Sequence, residues 1–300
     1  MCADFDSNYQ IWIDNFKKSK FLLFPHAITL RGTEYNEFRN ISKDYKDLDN
    51  NIRIESLKKF PVGTVFYSCN DDELYFFKKF VGSNIILKNI GFVRLSKEWI
   101  NFRKKKFKNI KQNILKKKNL LLLVGKVSYI GQNELDKKIN DIIRIAEKIN
   151  HNIIIKNHPR NNFNIKRYSL LGKNVKIFES NESLHAILPK VEFVIMTSKS
   201  GVCMDCIAYG KIPIEFYKYN RNNLKNNFYE FRFNSNITSI YKFKNLTFSF
   251  DNFIKLSTFV DLITKNNFLK NQYFRKIKES YKKIVEQNQD CLKNFTEIFN

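Results

Sequence analysis

The sequence predicts an α/β protein of two doubly wound domains, the first unusually short, followed by a helical C-terminal segment. Three observations carry this expectation. The run "NLLLLVGKV" (119–127) is continuously apolar, as a strand buried on both faces of a parallel sheet has to be. Strand-like and helix-like stretches alternate on either side of it. A dense basic stretch, "RKKKFKN" (103–109) with "KQNILKKK" (111–118), separates the two series. The expected divisions are 1–110, 111–220 and 221–300.

In the first half, residues 7–20 read as a helix or loop carrying Trp12, and "KFLLFPHA" as a strand that turns at Pro25. Residues 33–58 are polar and read as helical. "GTVFYSCN" (63–70) is a second strand. "DDELYFFKKFV" (71–81) fits a helix, with Asn70 or Asp71 as cap and Glu73 near its first turn. "NIILKNIG" (84–91) is a third strand, and "SKEWIN" (96–101) opens a helix capped by Ser96.

The second half alternates more cleanly. After strand 119–127, the segment 134–150 places Leu135, Ile139, Ile142, Ile143, Ile145, Ala146 and Ile149 on one face of an amphipathic helix. Strands follow at 152–156, 175–179, 191–197 and 212–216, with helices at 183–190 and 201–209. Such alternation builds a doubly wound sheet, whose ligands bind beyond the carboxyl ends of the strands. Two such domains imply a cleft between them. Beyond 220 the chain is rich in Asn, Phe and Lys and reads as mostly helical.

Composition narrows the function classes. Of 300 residues, 43% are apolar and 15% aromatic, so the chain folds. No apolar run is long enough to cross a bilayer, and "MCADFDSNYQ" does not resemble a signal peptide, so a cytoplasmic location is expected. A formal charge of +24 calls for an anionic counterpart: nucleic acid, an anionic membrane face or a phosphorylated substrate. Block 103–118 reads as a solvated helix and linker, with peripheral contact at the inner face of the plasma membrane as a second role. There is no zinc-finger spacing, RNP-like strand or evident recognition helix, so no specific nucleic acid is expected. Cys203 and Cys206, three apart without a second pair, read as small core residues, the alternative being a metal or redox pair.

Two stretches concentrate phosphate-binding chemistry. "IIIKNHPR" ends a strand in Lys156, His158 and Arg160. "TSKSG" places Thr197, Ser198, Lys199, Ser200 and Gly201 between a strand and a helix, where hydroxyls and free backbone N–H groups converge. Gly201 lets the backbone approach a ligand closely. Glu215, at the end of the next strand, suits ribose hydroxyls. Each residue also has a plainer reading: Ser198 and Ser200 as helix caps, His158 as a turn residue, Glu215 as a surface acid. A P-loop is excluded because GxxxxGK is absent, and "VGKVSYIG" lacks the GxGxxG spacing.

"KNHPR" followed by "MTSKSGVCMDCIAYGKIPIEF" resembles the HP and serine motifs of bacterial surface-polysaccharide glycosyltransferases. These are capsule sialyl- and Kdo-transferases that use CMP-sugars and, more distantly, CDP-glycerol polyol-phosphate transferases. The resemblance implies the GT-B architecture of two Rossmann-like domains, the first on the acceptor side and the second binding the donor nucleotide. It implies that His158 contacts the donor phosphate, that Ser198 and Ser200 bind it from the other side, and that Glu215 holds the ribose. "FPHAIT" resembles these families' histidine-bearing loop, and Arg94 falls where an "iGspR" arginine stands. The similarity spans about residues 20–217. Two departures are a short N-terminal half and Ala27 after His26, where polyol transferases usually carry glycine.

The expected activity is transfer of a sugar, sialic acid or Kdo from a CMP-sugar, to a surface polysaccharide or lipooligosaccharide. His26 is the first choice of base, with Glu34 and Glu37 as further candidates and Arg31 orienting an acceptor anion. No DxD pair stands where a metal clamp would, so metal-independent chemistry without a cofactor is expected. The alternatives are a CDP-polyol phosphotransferase, a nucleotide-sugar epimerase that needs no acceptor, a non-catalytic subunit that keeps the nucleotide lobe, and a non-enzymatic polyanion-binding protein.

Overall fold

The computed structural model describes residues 14–15, 21–23, 60–71, 74, 78, 84–107, 118–125, 130–158, 164–166, 168, 174–178, 182–198, 200–218, 230–233, 236–285 and 291–297. The chain divides into two compact units, 1–96 with 283–300, and 97–282. The division therefore falls before the helix that begins at Lys97, not at 110. Residues 221–282 belong to the second unit because they supply a strand to its sheet and a helix to its face.

The first unit holds a parallel sheet in the order β1 (Leu22–Leu23), β2 (Thr64–Ser68), β3 (Ile85–Asn89). Leu23, Phe66, Tyr67 and Ile85 are buried, and Phe21 meets the Phe60 ring edge-on at 5.5 Å. A 3₁₀ turn at Val93–Leu95 precedes the unit boundary. The helix expected at 71–81 and the stretch 33–58 lie largely or wholly outside the described residues.

The second unit opens with α1 (Lys97–Phe107) and continues as β4 (Asn119–Leu123), α2 (Gln132–Lys148), β5 (Asn152–Lys156), β6 (Val175–Phe178), α3 (Leu184–Ile187), β7 (Phe193–Met196), α4 (Val202–Ala208) and β8 (Ile212–Phe216). A hairpin of β9 (Glu230–Phe233) and β10 (Asn236–Ser239) follows, then α5 (Ile240–Phe243), β11 (Phe248–Phe250), α6 (Phe253–Lys265) and α7 (Asn267–Val285). Helix α8 (Cys291–Thr296) returns to the first unit.

The six-stranded sheet has the order β11-β8-β7-β4-β5-β6, and all its strands are parallel. Its first strand in sequence, β4, is central: β5 and β6 build outward on one side, β7, β8 and β11 on the other. This is a doubly wound order with its switch point between β4 and β7. Leu120, Leu121 and Leu122 have no exposure, nor do Phe193, Val194 and Ile195 opposite them. The apolar stripe of α2 packs on β4 and β5, and α6 packs on α2 through a buried row that includes Leu256, Val260 and Ile263. Asn252 caps α6, its side-chain oxygen accepting from the N–H groups of Ile254 and Lys255 at 2.8 and 3.3 Å.

A charged knot ties α7 to the amino end of the sheet. Glu192, just before β7, takes Lys270 of α7 on one carboxylate oxygen and His151 Nε2 on the other at 3.0 Å, with Lys118 at 4.0 Å. The His151 hydrogen bond, helped by Lys270 and Lys118, holds the Glu192 carboxyl at about 2 against an ordinary 4.5, despite burial pulling the other way.

Candidate functional site

Beyond the carboxyl ends of β4, β5 and β7, the backbone stitches three strand exits together. Val124 N–H donates to the Lys156 carbonyl at 3.0 Å, and Thr197 N–H to the Leu123 carbonyl at 3.1 Å. Gly125 N–H donates to Thr197 Oγ1 at 2.8 Å, across the switch point. Thr197 is fully buried and Ser198 nearly so.

Gly125 is the residue that sequence reading missed. A Cβ there would stand 2.3 Å from Ser198 Oγ, 2.8 Å from Ser198 Cβ and 3.3 Å from Thr197 Oγ1. Glycine is thus required by the close approach of the Ser198 side chain, not by an unusual backbone angle. The signal in the sequence was the glycine that ends the apolar run "NLLLLVG". Its meaning needs the pairing of β4 with β7, which brings positions 72 residues apart in the chain into contact.

The HP stretch emerges on the neighbouring strand. Lys156 is the last residue of β5 and is almost fully buried. Burial lowers its ammonium pKa, opposed by the charge of Glu182. Asn157 is buried and its side-chain oxygen accepts the His158 N–H at 3.0 Å, while His158 itself is half-buried. The β4–β5 pairing brings Lys156 beside Leu123, so the HP loop and the Gly125–Ser198 contact share one end of the sheet.

Ser200 stands one residue before the N-cap of α4, which is Gly201 and has no side-chain cap hydrogen bond. The Ser200 hydroxyl accepts the Val202 N–H at 3.3 Å and its carbonyl the Cys203 N–H at 3.1 Å. Gly201 has φ −58°, an ordinary helical angle. Helix α4 is short, and its Cys203 and Cys206 are fully buried thiols. Burial raises both pKa values, with Glu215 and Cys206 adding to Cys203, and Asp205 to both.

Glu215 lies inside the sheet, between Met196 of β7 and Ser249 of β11, with 0% exposure. Ser239 Oγ faces both carboxylate oxygens, at 3.0 and 2.8 Å, and accepts the Lys242 N–H at 3.0 Å as the cap of α5. A direct ribose contact therefore requires the Ser239 cap to move. Sequence reading missed Ser239 because its partner lies on another strand.

His26, Arg31, Glu34, Glu37, Arg160 and Lys199 lie outside the described residues. The structure thus places Lys156, His158 and Ser198 at the same end of the six-stranded sheet, the first two at the exit of β5 and the third at the exit of β7, with Ser200 and Gly201 following Ser198. Among the described residues there is no group of three or more His, Cys, Asp or Glu side chains that could hold a metal ion. Also among them, no helix is long and apolar enough to cross a membrane.

No protein-family model matches the chain, and no curated protein matches its sequence. Solved structures do match in fold. The UDP-GlcNAc 2-epimerase of Neisseria meningitidis bound to UDP-GlcNAc is similar over 98% of this chain and 79% of its own, at 12% identity and TM-score 0.57. A putative UDP-N-acetylglucosamine 2-epimerase from Listeria monocytogenes is similar over 97% and 71%, at 12% identity and TM-score 0.52. The UDP-GlcNAc 2-epimerase of Methanocaldococcus jannaschii is similar over 85% and 66%, at 14% identity and TM-score 0.51. A second structure of that archaeal enzyme, with UDP-GlcNAc and UDP, is covered over only 54% of its length. At these identities the likeness is one of fold: the chain has two parallel-sheet α/β units with flanking helices, a GT-B-like Rossmann architecture.

Proposed function

We propose that the chain is a nucleotide-sugar-dependent glycosyltransferase, moving sialic acid or Kdo from a CMP-sugar to a bacterial surface polysaccharide or lipooligosaccharide. The observation that carries the reading is that Lys156 and His158, at the exit of β5, and Ser198, at the exit of β7, lie at the same end of the sheet on either side of β4, with Gly125 making room for Ser198. A buried cation, an imidazole and a hydroxyl at that position suit a phosphate whose negative charge grows as the sugar leaves. Arg160 adds a second cation from the same loop. Ser200 and Gly201 set the turn that holds Ser198. Glu215 supports the ribose side through Ser239, or meets the ribose once that cap moves.

On the acceptor side, the reading takes His26 as first choice for the base that accepts the acceptor hydroxyl proton, Glu34 and Glu37 as further candidates, and Arg31 as orienting an acceptor anion. In this reading no cofactor or metal takes part.

A second reading, nucleotide-sugar epimerisation, is favoured by one observation: three fold relatives with TM-scores above 0.5 carry the name UDP-GlcNAc 2-epimerase, one of them as putative. Turnover separates the two. A transferase releases CMP from a CMP-sugar only when acceptor glycan is present, and His26→Ala abolishes release while leaving nucleotide binding intact. Conversion of UDP-GlcNAc with no acceptor, and inertness toward CMP-sugars, would replace the first reading with the second.

A further inference from the structure

Glu215 is an acid inside a parallel sheet. It is the fourth residue of β8, flanked by Met196 of β7 and Ser249 of β11, and it has no exposure. A carboxylate buried this deeply is costly unless hydrogen-bond donors face it. Ser239 Oγ, at the end of β10, is such a donor, 3.0 Å from one carboxylate oxygen and 2.8 Å from the other.

The pairing is lopsided. A hydroxyl carries one hydrogen, so Ser239 donates to only one of the two oxygens at a time. Its own oxygen is engaged by the Lys242 N–H at 3.0 Å, as the cap of α5. Two carboxylate oxygens side by side are matched in full by two donors, such as the hydroxyls of a vicinal diol. Next along β10, Thr238 Oγ1 is buried without a hydrogen-bond partner among the described residues. An unpaired buried hydroxyl costs free energy, so this end of β10 has something to gain from a second arrangement.

Position agrees with the chemistry. Glu215 pairs with Met196, two residues before Ser198, at the end of the sheet where the nucleotide is proposed to bind. We infer that Ser239 holds the place of a ligand hydroxyl at Glu215, and that the ribose diol of the nucleotide displaces it and releases the α5 cap. The inference rests on the nucleotide reading above. Ser239 is then a positioning residue. It keeps the Glu215 carboxylate paired until a diol arrives, and a ligand without the diol leaves it where it is. The sign of its effect follows. Displacement breaks a hydrogen bond to a charged group, so deleting the hydroxyl removes a cost that only diol ligands meet.

The test is calorimetric titration of the full chain with CMP and with 2′,3′-dideoxy-CMP. Ser239→Ala removes the hydroxyl. Ser239→Gly also removes it while keeping a residue that suits a helix N-cap, which guards against loss of α5. Both variants are expected to bind CMP roughly tenfold tighter than wild type, about the worth of a hydrogen bond to a charged group. Both should bind the dideoxy ligand as wild type does, and Glu215→Gln should lose the preference for CMP over it. A loosened fold would move both ligands together, so the split between them is what a merely structural role would not produce. If wild type binds neither ligand, the nucleotide reading fails and the inference with it. If wild type binds CMP but the Ser239 variants bind it no tighter, or tighten both ligands alike, the inference alone is overturned. A preference for CMP that survives Glu215→Gln would overturn it as well.

Discussion

Gly125→Ala is expected to separate the switch-point contact from the rest of the fold. The added Cβ would lie 2.3 Å from Ser198 Oγ and 2.8 Å from Ser198 Cβ. The hydroxyl can rotate away, but the Cβ is fixed to a strand end whose neighbour, Thr197, donates its N–H to Leu123. Relief therefore needs a backbone shift. Overpacking of this kind costs about 1–3 kcal/mol, a fall in Tm of roughly 2–5 °C for a chain this long. If Ser198 hydrogen-bonds the donor phosphate, moving it removes a bond to a charged group, about 1.5–3 kcal/mol or roughly 10- to 150-fold in affinity. Thermal melting and calorimetric titration with CMP read the two effects separately. Gly125→Ala combined with Ser198→Gly removes the clash, leaving Thr197 Oγ1 as the nearest atom at 3.3 Å. The double variant should regain stability but not affinity. Wild-type affinity in Gly125→Ala, or recovered affinity in the double variant, would refute the reasoning.

Three further outcomes follow from the same structure. Glu192, held at about 2 against an unfolded value near 4.5, contributes stability that is fully present above that unfolded value and lost as pH falls toward 2. Glu192→Gln should forfeit on the order of 2–3 kcal/mol at neutral pH and flatten the dependence of Tm on pH between about 5 and 2. Ser239→Ala removes the hydroxyl that faces the buried Glu215 and caps α5, so urea unfolding should show about 1–3 kcal/mol less stability. Because burial lowers the Lys156 pKa, its charge is lost below the ordinary lysine range as pH rises. Nucleotide affinity should weaken over that interval in wild type, and Lys156→Met should be weak throughout and lose that component of the pH dependence.

The strands of the second unit were legible because burial on both faces leaves an unmistakable record. "NLLLL", "NIIIK", "FVIM" and "IPIEF" lie inside the expected spans, and 152–156 and 212–216 match to the residue. The stripe of α2 was equally clear, since seven apolar positions recur at helical spacing. The hairpin β9–β10 and the edge strand β11 escaped notice. They are short, lie among Asn, Phe and Lys, and owe their form to partners elsewhere: Phe248 pairs with Ile214. For the site, the basic and hydroxyl residues could be seen in the chain, but not the steric relation of Gly125 to Ser198. The same holds for Glu215, whose burial and Ser239 partner depend on β8 being enclosed by β7 and β11.

The central claim, that a nucleotide occupies the switch-point end of the second unit, is tested most directly by calorimetric titration with CMP, CDP, UDP, GDP and a short DNA oligomer at two salt concentrations. Wild type, Ser198→Ala and His158→Ala would be compared. The account predicts selective, salt-tolerant binding of CMP that both substitutions weaken at least tenfold, roughly the worth of one charged hydrogen bond. Binding only to DNA, with steep salt dependence and no response to either substitution, would contradict it.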